Sequence, residues 1–306
     1  MFSPALDSTR SSCSIAAPEF QLFRTLIHQH TGIWLRDGKQ TMLTSRLSRR
    51  LRHHGLSSYA DYYELVKDGG ATGEEIGELI NCVTTNKTSF FREKRHFEFL
   101  AETVLPEIAN RARVPGLDHA GTRAAAPPEK HIDLWSAACS TGEEPYSLAM
   151  SLLDAKRTVL RGEWISRVVA SDIDTQVLEK AVGGTYSEAD LGDIDPVRQK
   201  KYLLRGKGNM AGQIKVKQEV ASLVEFKRIN LMDSSWPLET TFDAIFFRNA
   251  LIYFQQETQD RFLRKMVRYL KPGGYLFLGH SESIPWLHGI LEPLQNTVYR
   301  LRAQKA

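Results

Sequence analysis

Two short stretches carry side chains whose types and spacing could do chemistry. In "WSAACSTGEEPYS" (135–147) a strand pattern runs into a helix pattern through a loop with one glycine, Gly142, followed at once by Glu143 and Glu144. About 30 residues further on, "ASDID" closes a second strand pattern on Asp172. A carboxylate at the end of the second strand of a βαβ unit is placed to accept the two hydroxyls of a ribose. The loop itself is unsuited to a pyrophosphate, which needs several glycines for close backbone approach. A single glycine beside two acids would repel phosphate.

A nucleoside whose other end is cationic fits these acids better, and S-adenosylmethionine (SAM) carries an ammonium and a sulfonium where nucleotides carry phosphates. The same glutamates also complement the positive end of a helix dipole with no ligand at all, and aspartate commonly ends strands, so on these motifs alone both readings stand. The turn in "LKPGGYLFLG" is frequent in methyltransferases and is equally an ordinary Pro-Gly turn. Other chemistries fit poorly. "GHSES" lacks the last glycine of a nucleophile elbow, there is no H-E-x-x-H, and the glycines of "GKGNMAG" follow no strand-to-helix pattern.

These residues need a frame. Residues 1–17 are rich in serine and alanine without a period and read as a disordered tail. Residues 18–85 read as a small all-helical domain. Phe20, Phe23, Leu26 and Ile27 share a face in the first helix, and Leu43, Leu47 and Leu51 form the apolar stripe of a second. On that second helix Arg46, Arg49, Arg50 and Arg52 occupy the other faces as a basic exposed side. Ser58 before Asp61 and Thr72 before Glu75 give capping-box spacings for two more helices.

Residues 86–112 read as helical, and 113–129, with proline, glycine and alanine, as a flexible loop. Beyond it, short β-rich runs alternate with helices, which predicts parallel βαβ units. The strands end at "SAACSTGEEP", "ASDID", "INL" and "FFRN", where an open parallel sheet places its ligand. Residues 203–226 interrupt the alternation and read as a small antiparallel insertion.

Composition narrows the class. The chain has 306 residues, 42% of them apolar, and 40 basic against 36 acidic side chains, a balance of +4 that is too mild for a general nucleic-acid binder. Cys13, Cys82 and Cys139 are too scattered for a disulfide framework or a zinc site, which fits a reducing cytoplasm. Neither a secretory leader nor a run of about 18 apolar residues is visible, so neither export nor membrane insertion is expected.

With these motifs in hand, the chain resembles the bacterial chemotaxis receptor glutamate O-methyltransferases from about residue 18 to residue 302. Five strings carry the resemblance in order: "TTNKTSFFRE", "WSAACSTGEEPYS", "ASDIDTQVLEKA", "FDAIFFRNALIYF" and "LKPGGYLFLGHSES". It implies an α/β fold, with a Rossmann-like SAM-dependent methyltransferase domain over 86–306, a helical N-terminal domain for receptor recognition and an inserted β-subdomain. It implies SAM contacts at Asn86, Thr88, Arg92, Glu144, Asp172, Asn230, Leu231, Arg248 and Asn249, with Arg92 and Tyr253 lining the place of methyl transfer. The products would be S-adenosylhomocysteine and γ-glutamyl methyl esters, and no metal cofactor is expected.

The residue chemistry agrees with that implication. Arg92 can hold a carboxylate, either the cofactor's or the acceptor's, or else pair on a helix surface with Glu93 or Glu98. Tyr253 can equally be a core aromatic with a wet hydroxyl. The arginine helix suits the acidic, helical cytoplasmic domain of a receptor, with the plain alternative of a solvated face. In some members of the family the β-subdomain captures a receptor C-terminal peptide as an added strand, and the glycines of "RGKGNMAGQIKVK" are compatible with that. The competing functions are a SAM-dependent transferase with another acceptor, such as RNA, and a non-catalytic receptor-binding module. No aromatic residue interleaves the arginines of 41–55, which disfavours RNA. Nothing demands more than a monomer.

Overall fold

The computed structural model describes residues 14–67, 73–112 and 129–302. Most of the stretch read as a tail, the 113–129 loop apart from residue 129, and Thr72 of the second capping pattern lie outside them. The chain divides into two compact units, Met1–Thr84 and Thr85–Ala306.

Among the described residues the first unit holds four helices: α1 (Ala17–Thr31), α2 (Gln40–His54), α3 (Tyr59–Lys67) and α4 (Glu75–Val83). Their apolar stripes meet in one core containing Phe20, Phe23, Ile27, Leu43, Leu47, Tyr62 and Leu79. Gly32 and Gly55 end α1 and α2 in the left-handed conformation, and Ser58 accepts the Asp61 N–H at the start of α3. Ile15, inside the stretch read as a tail, is fully buried in this core. A lone isoleucine among serines and alanines leaves no periodic trace.

The arginine helix is less exposed than its spacing suggests. Arg50 donates Nε to Glu75 at 2.9 Å, and its side chain is 15% exposed. Glu75 also accepts from the Tyr62 hydroxyl at 2.7 Å and lies 2.8 Å from His54 Nε2. Arg46 donates to the carbonyls of Val83 and Thr84 at 2.8 and 2.7 Å, satisfying orphan carbonyls at the end of α4. Arg49 and Arg52 are exposed. Two of the four arginines therefore serve the unit's own interior.

The second unit begins with an irregular segment, residues 85–93, where a helix was expected. Helix α5 (Lys94–Phe99) follows, passing through a π turn, Leu100–Val104, into α6 (Leu105–Arg111). The α/β alternation then runs β1 (His131–Ala137), α7 (Glu143–Thr158), β2 (Ile165–Asp172) and α8 (Thr175–Gly183). A small sheet follows, made of β3 (Thr185–Ser187), β4 (Leu203–Arg205) after α9 (Pro196–Tyr202), and β5 (Gln213–Val216). Next come α10 (Gln218–Ala221), β6 (Val224–Arg228), β7 (Phe242–Phe247), α11 (Gln256–Val267), β8 (Leu270–Leu278), β9 (Leu291–Pro293) and β10 (Val298–Leu301).

The main sheet has the order β6-β2-β1-β7-β8-β10-β9, parallel except for β10, which pairs antiparallel with both β8 and β9. Strands β1 and β7 are buried almost throughout, as central parallel strands covered on both faces must be. Phe246 and Phe277 face one apolar layer and Trp135, Ile245 and Phe247 the other. The small sheet spans 185–216, earlier than the 203–226 read from sequence. Strand β3 has only three residues, too few to show a period, while 224–226 pair with β2 in the main sheet. The KPGG turn lies inside β8, beside a register shift between Phe242 and Ala244.

Candidate active site

Strand order reverses between β2-β1 and β7, so the crevice for a ligand opens beyond the carboxyl ends of β1 and β7. The segments that meet there are strained. Five of the seven non-glycine residues with positive φ among the described residues are Phe91 and Glu93 before α5, Ala138 and Ser140 after β1, and Asn249 after β7. Such backbone costs on the order of 1–3 kcal/mol per residue and persists only where its surroundings enforce it. Gly142 caps α7 at φ +96°, and a Cβ there would stand 2.9 Å from the Ala181 Cβ and the Tyr186 hydroxyl, so only glycine lets the loop pass.

Asp172 ends β2 and is buried. Its Oδ2 accepts the Ser140 N–H at 2.8 Å and its Oδ1 the Asp174 N–H at 3.0 Å. Burial pushes its pKa up to about 6, against the pull of those backbone donors. Asn86 donates Nδ2 to Asp174 at 2.8 Å, and Ser140 donates its hydroxyl to the Asn86 carbonyl at 3.1 Å, so the linker segment is tied to both strand ends. Asp174 also caps α8 through the N–H groups of Gln176 and Val177. Asn230 follows β6, its Oδ1 accepting the Met232 N–H at 3.0 Å, and Leu231 packs partly buried beside Trp236.

The centre of the site is Arg248, whose side chain is 2% exposed. It donates Nη1 to Glu144 at 3.0 Å, and Nη2 to Glu93 at 2.9 Å and to the Arg92 carbonyl. Glu144 also accepts the Ser136 hydroxyl at 2.7 Å, so it faces a protein cation here rather than open space. Glu93 further accepts from Asn249 Nδ2 at 3.1 Å and from the His280 N–H at 3.3 Å. Burial works to raise both carboxyls. At Glu93 the Arg248 charge and the other donors outweigh it and hold the pKa at about 2. At Glu144 burial prevails and the pKa stays raised. One guanidinium cannot hold down two buried carboxylates equally, and Glu93 has more donors.

Arg92 donates Nη1 to the Lys87 carbonyl at 2.8 Å and is half-buried. It precedes α5 and pairs with neither Glu93 nor Glu98, because Glu93 turns to Arg248 and Glu98 to Lys94. Thr88 is half-buried in the same segment. Tyr253, also half-buried, closes the one-turn helix Leu251–Tyr253 just beyond Asn249. Cys139 is buried, and burial pushes its thiol pKa well up, which suits an inert apolar filler.

Residues 86–300 match the family model described as CheR methyltransferase, SAM binding domain, and residues 18–84 match CheR methyltransferase, all-alpha domain. The chain belongs to the CheR methyltransferase family. It is 41% identical over 288 residues to the chemotaxis protein methyltransferase of Escherichia coli K12, covering 94% of this chain and 92% of that protein. The Salmonella typhimurium LT2 protein of the same name is 40% identical over 293 residues, covering 96% and 93%. Chemotaxis protein methyltransferase 2 of Pseudomonas aeruginosa is 38% identical over 282 residues, covering 92% of each.

The second unit of this CheR methyltransferase is thus a SAM-binding domain, and its residues fit that group chemically. Asp172 is held by backbone donors of Ser140, Ile173 and Asp174, which orient its carboxylate, and a carboxylate has acceptor sites beyond those for a ribose hydroxyl. Arg248 Nε is buried without a partner, a donor suited to a carboxylate. Sequence reasoning missed two residues that organise the site, Glu93 and Glu282. Glu282 is buried and accepts the N–H groups of Gly279, Asn249 and Leu251 at 2.7 to 2.9 Å, fixing the loops after β7 and β8 to each other. Both lie within strings of the family pattern, in "SFFRE" and "GHSES", but nothing local distinguishes them from surface acids.

Proposed function

We propose that this CheR methyltransferase converts glutamate side chains of chemotaxis receptors to γ-glutamyl methyl esters, leaving S-adenosylhomocysteine as the second product. One observation beyond family membership carries the choice of acceptor: the glutamates of the site are already committed. Glu93 and Glu144 are held by Arg248, and Glu282 by three backbone donors. That supports an acceptor needing no general base. A glutamate with a reference pKa of ~4.3 is already an anion at pH 7, whereas a lysine at ~10.4 must first lose a proton.

SAM supplies a methyl group on a sulfonium, an electrophile that a carboxylate oxygen can take directly. In this reading Asp172 binds the ribose hydroxyls, and Asn86, Thr88, Asn230 and Leu231 complete the nucleoside contacts. Glu144, Arg248 and Asn249 hold the amino-acid end. Arg92 and Tyr253 orient the acceptor carboxylate and exclude water from it. Their grip must be moderate, because the acceptor charge is consumed in the transition state and tight ground-state binding would slow transfer.

The helical unit recognises the receptor's helical, glutamate-rich cytoplasmic domain, with the exposed Arg49 and Arg52 drawing it in. In this reading the reaction takes place in the cytoplasm on a monomeric enzyme. The outer edges of β3 and β4 are open in the small sheet and are compatible with capture of a receptor C-terminal peptide as an added strand. The reading is tested by incubating the enzyme with SAM labelled in its methyl group and a receptor cytoplasmic fragment. Label on the fragment supports it, and its absence with SAM binding intact counts against it.

A further inference from the structure

We propose that Glu93, His96 and His280 form a binding site for a divalent transition ion of the zinc class. Their donor atoms, one carboxylate oxygen and two imidazole nitrogens, all lie within 4.8 Å of one another. Glu93 Oε2 is 3.4 Å from His96 Nδ1 and 3.9 Å from His280 Nε2. Donors about 2.0–2.1 Å from a tetrahedral zinc ion stand roughly 3.3 Å apart, so the first pair is already at that spacing. The second closes with a small shift of the His280 side chain, which is 49% exposed.

The state of His96 points to a ligand independently. The residue is fully buried, and its Nδ1 has no hydrogen-bond partner. Its Nε2 faces the Asn296 carbonyl, so Nε2 carries the proton and Nδ1 offers a lone pair toward Glu93 and His280. A carbonyl on the far nitrogen of an imidazole is the usual support of a metal-ligating histidine. A buried nitrogen left without a partner is costly, and coordination would offset that cost.

Each oxygen of Glu93 has two lone pairs. Arg248 takes one at Oε2, and the other remains for an ion. The neighbouring guanidinium repels a dication, so the affinity is modest. Two imidazoles and one carboxylate select zinc, nickel or copper over magnesium, which prefers an oxygen shell. In sequence the ligands are invisible as a set, because 187 residues separate Glu93 from His280.

The test is titration of the tag-free, full-length protein with zinc against a chromophoric chelator, for wild type and His280→Ala. His280 is on the surface, so the variant should keep the wild-type circular dichroism. The adjacent His53 and His54 supply a background that this substitution leaves unchanged. The expected result is loss of one zinc equivalent, or a fall of at least about tenfold in its affinity, in His280→Ala, with no comparable uptake of magnesium. Identical zinc titrations for the two proteins, no zinc uptake by wild type, or equal affinity for magnesium would overturn the proposal.

Discussion

Arg248 donates Nη2 to Glu93 at 2.9 Å across 155 residues of sequence, and its other terminal nitrogen reaches Glu144 at 3.0 Å. The segment before α5 and the loops after β1 and β7 are thereby locked through one buried cation. Removing that cation leaves two buried carboxylates unpaired. Arg248→Met is therefore expected to lower stability by about 3–5 kcal/mol, the usual cost of breaking a buried pair from one side. Urea unfolding at pH 7 measures it, and a loss under about 1 kcal/mol would mean the network is not under the constraint described.

Asp172 ties cofactor affinity to pH. Burial raises its folded pKa to about 6 against a reference of ~3.9, so between those values the folded protein keeps it protonated. Ribose hydroxyls donate to the ionised form. SAM affinity is thus full above pH 6 and falls by up to about tenfold per unit as pH drops below it. Calorimetric titration across pH 5–8 should show this slope in wild type, and a flat, weaker profile in Asp172→Asn. A wild-type profile that is flat from 5 to 7 would remove Asp172 from the ribose role.

Parts of this architecture were legible because the physics is local. The alternation of short β-rich runs with helices marks the parallel βαβ units, and Asp172 reveals itself by its place at a strand end. The Arg248 network was not legible: Glu144 and Arg248 were each read as a cofactor contact and Glu93 only as a helix-surface partner of Arg92, and nothing local pairs the three before the fold brings them together. The positive φ values at Phe91, Glu93 and Asn249 carry no glycine to announce them. The irregular 85–93 segment was read as helix for the same reason: its strain is imposed by tertiary contacts that propensity does not encode. Arg50 misled similarly, because a helix arginine seen without Glu75 reads as solvated.

The Arg50–Glu75 pair should anchor the helical unit. Burial raises the Glu75 pKa, but hydrogen bonds from Arg50, Tyr62 and His54 outweigh it and hold it at about 2. A depressed carboxylate stabilises the fold above its unfolded pKa of ~4.3, and that contribution disappears as pH falls toward 2. Glu75→Gln is expected to cost about 3 kcal/mol at pH 7, read as faster hydrogen exchange of α2 and α4 amides, with the gap from wild type closing below about pH 4. A gap that persists unchanged at pH 2.5 would show the effect to be packing.

Arg49 and Arg52 are the exposed members of the arginine helix and should steer association with an acidic receptor helix. Reversing both charges is expected to slow association with a receptor fragment by about tenfold at low salt, while raising salt weakens wild-type binding. Stopped-flow association rates provide the check. Salt-independent association, or no change in the double variant, would assign that helix face to solvent alone.

Carboxyl methylation of receptor glutamates is tested by the alkali lability of the transferred label. Methyl groups from labelled SAM should appear on glutamates of a receptor cytoplasmic fragment and be released by mild base, since esters hydrolyse there and N-methyl groups do not. Arg92→Ala should cut the transfer rate by about a hundredfold or more, and Tyr253→Phe by less, as expected of residues that orient the acceptor. Label that survives alkali, or transfer at the wild-type rate in Arg92→Ala, would contradict the account.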